Sequence, residues 1–473
     1  LLIVLALSAA IHVANYWKHA AASGMDHPIR QAISMAWLPC LLAAVTTGIG
    51  LMSLSISSLE PIRDFGIFAS IGTLISLAVV MIGLPSMMVD LPVVPPTKSE
   101  VDHPAWRWLG HFLSRHCGKV ASICLLLFIT ATGGLYWFRS EVKVARYFPE
   151  GSQLATDYEF LEENLGGVVP VDIIVAFNDE YSETLGFLDR MELIRTVEHQ
   201  VQQHSEISGA LSLADFQPKT APLSDDAGFL VRTRHTVRTR AIESRVKQTD
   251  AADASMFLVA DSADGFRDWL PGAPIDEVWR IRAQAYVTSD ADYGDLTADL
   301  NEVVARALQT EAGHDQSGLE HHVTGTVPVF FRAQEALLQS LIRSFCLAFA
   351  VIALAMIALL RSFRSGMLSM LPILMPIGVV FGVMSWCGQI LDIGTMLTAS
   401  VALGISVDGM LHLLTWFRKA IAEGKSRQVA MTFALQHCGP AMAQTSAVVG
   451  LSLLVLYPAE LLLISRFGWV MAA

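Results

Sequence analysis

The chain has 473 residues, of which 53% are hydrophobic and only 16% are charged, and its formal net charge is −12. Soluble domains carry about 25% charged residues, so this composition indicates a membrane protein and excludes a disordered chain. The negative charge excludes a nucleic-acid-binding protein. Residues 141–340 hold 34 of the 44 acidic residues and 16 of the 32 basic ones. One acidic soluble domain therefore interrupts an apolar, weakly basic chain.

Eight apolar runs have the length of membrane spans, which need roughly 20 apolar residues. They predict membrane helices at 1–17, 37–54, 65–89, 120–138, 344–360, 366–391, 393–417 and 438–459, with a further run beginning near Leu461. The chain has no initiator Met, and it starts and stops inside apolar runs. We therefore expect it to be a fragment of a longer protein.

Lys and Arg cluster after the first run, before the fourth, after the fifth and after the seventh. Strict alternation places all four clusters on one side, which the positive-inside rule assigns to the cytoplasm. The polar block after Phe138 is then extracytoplasmic. Its segments predict an α+β layer sandwich, with strands near 171–177, 256–259, 281–287 and 321–324 and helices near 183–203 and 296–308. Its acidity indicates either a solvated face or a cation-attracting surface.

An internal repeat appears when the start of the chain is shifted by 400 residues. His12 then meets His412, and, with one or two gaps, Gly66 meets Gly468. Both copies contain an apolar helix ending in aromatic residues and a base, a polar loop, a proline-bearing helix and a Phe-Gly helix. Duplicated halves are typical of transporters, whose sites lie between the halves. Because both copies have the same orientation, the repeat predicts a pseudo-two-fold axis along the membrane normal.

Asp408 is an acidic residue within an apolar helix, a position that costs about 2.5–3.5 kcal/mol on insertion scales. We therefore expect it to have partners. His412 lies four residues further along, on the same helical face, and the repeat offers His12 from the other half. Burial favours the neutral acid and a nearby imidazolium favours the carboxylate, so Asp408, His412 and His12 are predicted to form a proton relay. A static polar contact that fixes helix packing is the alternative.

Polar and small residues near these three are predicted to support them. The expected polar neighbours are Ser8, Thr46, Thr47, Gln444, Thr445 and Ser446. Gly404 and Gly409 are expected to allow close helix packing. No catalytic Ser/His/Asp arrangement, phosphate-binding loop or metal-ligand spacing stands out. The sequence thus predicts no catalytic residue, metal or cofactor, and a secondary active transporter rather than an enzyme.

The motif around Asp408 and the repeat resemble the resistance–nodulation–division (RND) superfamily, specifically its MMPL/Patched-like branch with membrane helices related to sterol-sensing domains. The segments 53–72 and 147–167 resemble the same branch. The resemblance implies two six-helix halves, each with an outside ferredoxin-like porter domain. It assigns 1–90 to helices 4–6 of the first half, 91–119 to a cytoplasmic linker, 120–138 to helix 7, 139–337 to the extracytoplasmic porter domain and 338–473 to helices 8–12, the last one truncated.

The resemblance also implies a function. Family members export lipids, hydrophobic small molecules or drugs with an ion gradient, and Asp408 would be the coupling carboxylate of helix ten. Many relatives also carry acids in helix four, where this chain has Ser8 and Ala9. We expect a multi-pass α-helical protein of a bacterial inner membrane that exports lipids or other amphipathic molecules by proton coupling. Its expected partners are the bilayer, that substrate and, as an open option, further copies of the chain. The alternative is a non-transporting lipid- or sterol-sensing protein or assembly factor.

Overall fold

The computed structural model describes residues 2–90, 104–138, 147–149, 151–178, 185–217, 228–248, 256–260, 275–286, 293–312, 319–389 and 391–473. Residues 91–103 of the expected linker and 139–146 of the expected porter domain lie outside these ranges. The helices are α1 (Leu2–Ala22), α2 (Pro28–Met52), α3 (Glu60–Asp90), α4 (Pro104–Arg115), α5 (Cys117–Gly133), α6 (Gln153–Leu165), α7 (Phe187–Gln202), α8 (Phe229–Gln248), α9 (Tyr293–Ala312), α10 (Thr326–Leu360), α11 (Phe363–Trp386), α12 (Ile393–Ala422), α13 (Arg427–Leu454) and α14 (Leu462–Ala472). The strands are β1 (Val169–Asn178), β2 (Ile207–Leu211), β3 (Leu258–Ala260), β4 (Ile275–Ala285) and β5 (Leu319–Gly325).

Six helical segments among the described residues are long and apolar enough to cross a membrane. They are Pro28–Ile56, Glu60–Val89, Cys117–Trp137, Thr326–Leu360, Phe363–Trp386 and Gly394–Ala422. They correspond to the second to seventh expected runs, so the prediction of a multi-pass helical membrane protein is confirmed. The first and eighth expected runs are also helical, in α1 and α13, but these helices are less apolar than the other six.

Several helices begin well before the apolar runs that predicted them. α2 begins at Pro28 rather than at 37, α10 at Thr326 rather than at 344, and α13 at Arg427 rather than at 438. Proline is preferred in the first turn of a helix, as in α2, and the Ser426 hydroxyl caps α13 by accepting the Val429 N–H at 3.5 Å. Hydropathy marks the apolar part of a helix, whereas capping residues mark its start.

The repeat is visible in the backbone. The first helix of each copy is followed by a left-handed glycine, Gly24 with φ 68° and Gly424 with φ 82°. In both, the next residue donates its N–H back into the helix, at 3.2 and 3.1 Å. A Cβ on Gly66 or Gly468 would lie 2.7 or 2.6 Å from a carbonyl oxygen of the preceding helix. The two copies therefore share their turns and their closest helix contacts.

The chain divides into two compact units, a membrane unit (1–142 and 335–473) and an α+β unit (143–334). The described strands of the α+β unit form an antiparallel sheet of order β2-β4-β1-β5, with β3 paired to β4. Its core includes Phe177, Ile194, Trp279 and Leu300, all fully buried. β1, β3, β4 and β5 lie at the expected strand positions, although 287 is outside the described residues. β2 and α8 were not expected, because neither has a long apolar pattern.

Candidate functional site

Side chains of α1 and α12 that the repeat makes equivalent contact one another. The Ser8 hydroxyl donates to Asp408 Oδ2 at 2.8 Å. The His12 and His412 rings stack, with centroids 3.7 Å apart and planes 6° apart. A residue can contact its own equivalent only close to the two-fold axis that relates the copies. The axis predicted from the repeat therefore runs between α1 and α12, with Asp408 beside it.

The two imidazoles lie near Asp408 but do not form short hydrogen bonds with it. His412 Nε2 lies 3.4 Å from Asp408 Oδ1, and His12 Nε2 lies 4.0 Å from Oδ2. Both distances exceed those of good N–H···O hydrogen bonds. The histidine side chains are 1% and 2% exposed and the carboxylate 20%, and His12 Nε2 has no hydrogen-bond partner among the described residues. The histidines are thus close enough to exchange a proton with Asp408 but do not hold it rigidly.

A small cavity adjoins the carboxylate. It has a volume of about 40 Å³ and is lined by Leu5, Ala9, Cys40, Ala43, Ala44, Thr47, Thr73, Ser76, Leu77, Asp408 and His412. A site that holds a water needs roughly 10–15 Å³ on this measure and a few polar partners. The three hydroxyl-bearing residues, the carboxylate and the imidazole provide those partners. The cavity can therefore admit water to Asp408.

The predicted packing residues bring α2 close to α12. A Cβ on Gly404 would lie 3.1 Å from the Thr47 Cα, and the Thr47 hydroxyl donates to the Gly404 carbonyl at 3.0 Å. A Cβ on Gly409 would lie 3.1 Å from the methyl carbon of Met442 on α13. Small residues and such interhelical bonds are typical of membrane helix interfaces. Thr46 is buried but bonds to carbonyls of its own helix, at 2.9 and 3.0 Å.

Two of the expected polar neighbours are not brought to the carboxylate. Gln444 and Ser446 have exposed side chains on α13. Thr445 is buried, but its hydroxyl donates to a carbonyl of its own helix at 2.9 Å. The reason is helical phase: the buried face of α13 carries Ala441 and Thr445, and each residue turns the helix by about 100°. Adjacent polar residues in sequence therefore point in different directions.

Tyr16 and Trp416 extend the site and were not singled out as site residues. The Tyr16 hydroxyl lies 3.3 Å from His412 Nδ1. The Tyr16 and Trp416 rings stack, with centroids 5.3 Å apart and planes 11° apart. The repeat aligns the aromatic ends of the two helices in sequence. This alignment indicates duplication, but it does not by itself predict that the two rings are in contact.

The donor atoms of His12, Asp408 and His412 all lie within 4.8 Å of one another, a spacing that a small cation could also use. Hard cations prefer sets of oxygen ligands, whereas two imidazoles and one carboxylate resemble the donor set of a transition metal. Proton exchange is a chemistry that all three groups share. The donor set thus favours a proton over a hard cation such as Mg²⁺.

Paired halves, six apolar spans among the described residues and a partly buried carboxylate on the axis are features of a duplicated multi-pass membrane protein. Residues 280–473 match the MMPL family, which confirms the expected resemblance over this part of the chain. Members of this family are transporters rather than enzymes.

Solved structures with a similar fold include the hedgehog release protein Disp from the water bear Hypsibius dujardini, with a TM-score of 0.63 and 14% identity over 100% of this chain and 60% of that one. SecDF in its super-membrane-facing form has a TM-score of 0.49 and 13% identity, over 100% of this chain and 51% of that one. The chain thus spans little more than half the length of these proteins. A comparison with curated protein sequences finds no match.

Proposed function

We propose that the protein couples proton movement to the export of lipids or other hydrophobic or amphipathic molecules across a bacterial cytoplasmic membrane. The observation that carries this proposal is the position of Asp408. It is the carboxylate of a membrane-crossing helix, it lies where the two halves meet, and its partners on α1 and α12 are a hydroxyl and two imidazoles. Protonating it removes a charge at the point that both halves share.

A purely static polar contact would be better satisfied than this one. Buried polar groups that only fix packing are normally fully hydrogen-bonded. Here His12 Nε2 has no partner among the described residues, and the distance from His412 Nε2 to the carboxylate is 3.4 Å. The adjacent cavity provides the water access that proton exchange needs. These features support a site that changes protonation rather than one that only joins helices.

The energy available from one carboxylate is modest. One proton crossing about 100 mV releases about 2.3 kcal/mol. At about 1.4 kcal/mol per tenfold concentration ratio, this supports a substrate gradient of less than two decades. Coupling through Asp408 is therefore sufficient for export, and a pH gradient would add to it.

The α+β unit supports an extracytoplasmic porter domain. We infer a ferredoxin-like β-α-β-β-α-β unit in which the segment carrying α8 and β3 is inserted. The sheet order β2-β4-β1-β5, with α7 after β1 and α9 after β4, supports this inference. We place this unit outside the membrane because the basic residues cluster at the opposite ends of the helices. Substrate would pass through it on the way out.

The test is Asp408→Asn in the complete protein, reconstituted into vesicles with a pH-sensitive dye inside and a fluorescent lipid as the reporter substrate. We expect proton uptake and lipid export to be lost together while the protein remains folded. Asp64→Asn is the matched control, because Asp64 is a carboxylate of the same unit whose side chain is 47% exposed. Unchanged export would exclude the relay. Loss of folding would favour a static contact, and with it the lipid-sensing alternative.

A further inference from the structure

A row of polar and aromatic side chains continues from Asp408 to the ends of α1 and α12. On α1 the row occupies positions 8, 12, 16 and 19, and on α12 it occupies positions 408, 412, 416 and 419. Steps of four, four and three residues keep side chains on one helical face. The row therefore runs lengthwise between the halves, toward the turns that contain Gly24 and Gly424.

The first part of the row is a series of neighbouring groups that can exchange protons. Asp408 faces His412 Nε2 at 3.4 Å, and His412 Nδ1 faces the Tyr16 hydroxyl at 3.3 Å. Imidazole and phenol can each accept one proton and donate another. A proton on Asp408 thus has acceptor and donor groups in sequence as far as the Tyr16 oxygen.

Trp416 closes the row beyond Tyr16. Its ring stacks on Tyr16 and is 1% exposed. Indole can donate but cannot accept, so it does not pass a proton on.

Two histidines lie on the far side of Trp416. The ring centroids of His19 and His437 are 4.6 Å apart, and they lie 4.8 and 4.7 Å from the Trp416 ring. His437 Nδ1 donates to the Phe433 carbonyl at 2.7 Å, which leaves its Nε2 as the acceptor of the neutral ring. His19 and His437 thus form a second titratable pair, which contacts the Trp416 ring rather than Asp408.

Charged groups mark where this second site opens. Lys419 and Glu423 at the end of α12, and Lys425 just beyond it, face the two histidines. Lys425 Nζ pairs with Glu423 at 2.7 Å, and both side chains are at least 30% exposed. The histidine pair therefore borders water on the side of the Gly24 and Gly424 turns, which the charge pattern assigns to the cytoplasm.

We infer that His19 and His437 are a second proton-holding station of the relay and that Trp416 is the gate between this station and Asp408. The inference rests on the proposed proton coupling and extends it to a route. When the Trp416 ring turns aside, Asp408 loses one proton and His437 Nε2 gains one, directly or through His19. His412 and Tyr16 each accept one proton and donate one, so neither changes its charge. With the ring in place, the two sites are isolated and no proton leaks.

The first experiment opens the gate. Trp416→Ala in the full chain, reconstituted into vesicles with an internal pH dye, is expected to raise proton leak without substrate by on the order of tenfold or more. The double variant Trp416→Ala, Asp408→Asn is expected to lose that leak. Trp37→Ala is the matched control, because the Trp37 side chain is 50% exposed on α2. Trp416→Phe retains an aromatic ring and serves if the alanine variant does not fold.

The second experiment removes the station. The double variant His19→Gln, His437→Gln is expected to slow proton release by on the order of tenfold or more and to flatten its dependence on pH. His111→Gln, an exposed histidine of α4, is the control. A purely structural role would not flatten the pH profile.

Four outcomes overturn the inference. Wild-type proton flux in the double histidine variant excludes the station, and a leak that persists without Asp408 excludes the gate. Leak at the wild-type level in folded Trp416→Ala and Trp416→Phe also excludes the gate. If the unmodified protein moves no protons at all, the proposed coupling fails, and this inference fails with it. Proton movement by the unmodified protein thus tests the proposed coupling, whereas proton movement by the variants tests the route through Trp416 and the two histidines.

Discussion

Two carboxylates of low exposure, Glu277 in the α+β unit and Asp408 in the membrane unit, have different partners. In the α+β unit, Glu277 is 1% exposed and receives two hydrogen bonds from Arg190, at 2.9 and 3.1 Å. In the membrane unit, Asp408 receives one hydrogen bond from the Ser8 hydroxyl and has imidazoles at 3.4 and 4.0 Å. A guanidinium is always charged, whereas an imidazole gains and loses a proton near neutral pH. The partner of Glu277 therefore has a permanent charge, whereas two of the neighbours of Asp408 are groups that can gain and lose a proton.

The largest effect is expected when Asp408 is given the kind of partner that Glu277 has. His12→Arg would place a permanent positive charge beside Asp408 and keep the carboxylate ionised. We expect proton uptake and export in vesicles to fall to background although the carboxylate is still present. His27→Arg, an exposed position before α2, is the control for the added charge. Wild-type export in His12→Arg would contradict the comparison.

The converse change removes the fixed partner from Glu277. Arg190→Met removes the cation from a buried carboxylate, which costs about 3–5 kcal/mol, although the Trp279 indole N–H still donates to Glu277 at 3.2 Å. We expect the α+β unit to unfold at a lower temperature. Limited proteolysis of the full chain during heating measures this change. Arg306→Met is the control, because the Arg306–Glu302 pair has 66% and 70% exposed side chains and contributes about 0–1 kcal/mol. Equal losses in the two variants would show that the buried pair is not structural.

A third carboxylate, Glu198 of the α+β unit, is buried like Glu277, but its main hydrogen-bond donor is a hydroxyl, as for Asp408. Burial raises its pKa from 4.5 to about 7, although the Ser212 hydroxyl donates to it at 2.6 Å. Because the folded-state pKa is the higher one, the stabilising contribution is complete below about pH 4.5 and is lost as the pH rises through about 7. We expect the free energy of unfolding to fall by roughly 2 kcal/mol between about pH 5 and 8.

Glu198→Gln should remove most of that pH dependence, because an amide keeps the shape and does not ionise. Denaturant unfolding at several pH values measures it. Glu192→Gln on the same helix, where the side chain is 56% exposed, is the control. An unchanged pH profile in Glu198→Gln would show that another group titrates.

Much of the membrane unit could be read from the sequence, because a helix in a bilayer needs a long apolar run and such runs are conspicuous. The meeting of His12 with His412 followed from duplication, since equivalent residues near an axis contact each other. The sequence could not provide the rotation of each helix about its own axis, which decides the side chains that face the site. Gln444 and Thr445 are neighbours in sequence, yet one is exposed and the other buried.

The residues that extend the site were harder to predict. His437 lies on α13, outside the aligned aromatic helix ends, so only its contacts with His19 and Trp416 reveal it. In the α+β unit, α8 escaped prediction because its basic residues interrupt every apolar period. Both depend on tertiary neighbours that periodicity does not encode.

The hydrogen bond between Ser8 and Asp408 joins two equivalent positions, one of which carries an acid and the other only a hydroxyl. A side chain beside the two-fold axis lies at nearly equal distances from the two copies. A change in its charge therefore acts on both copies to a similar extent. A duplicated protein can therefore lose one of its two acids at such a place and still have both halves respond to the acid that remains.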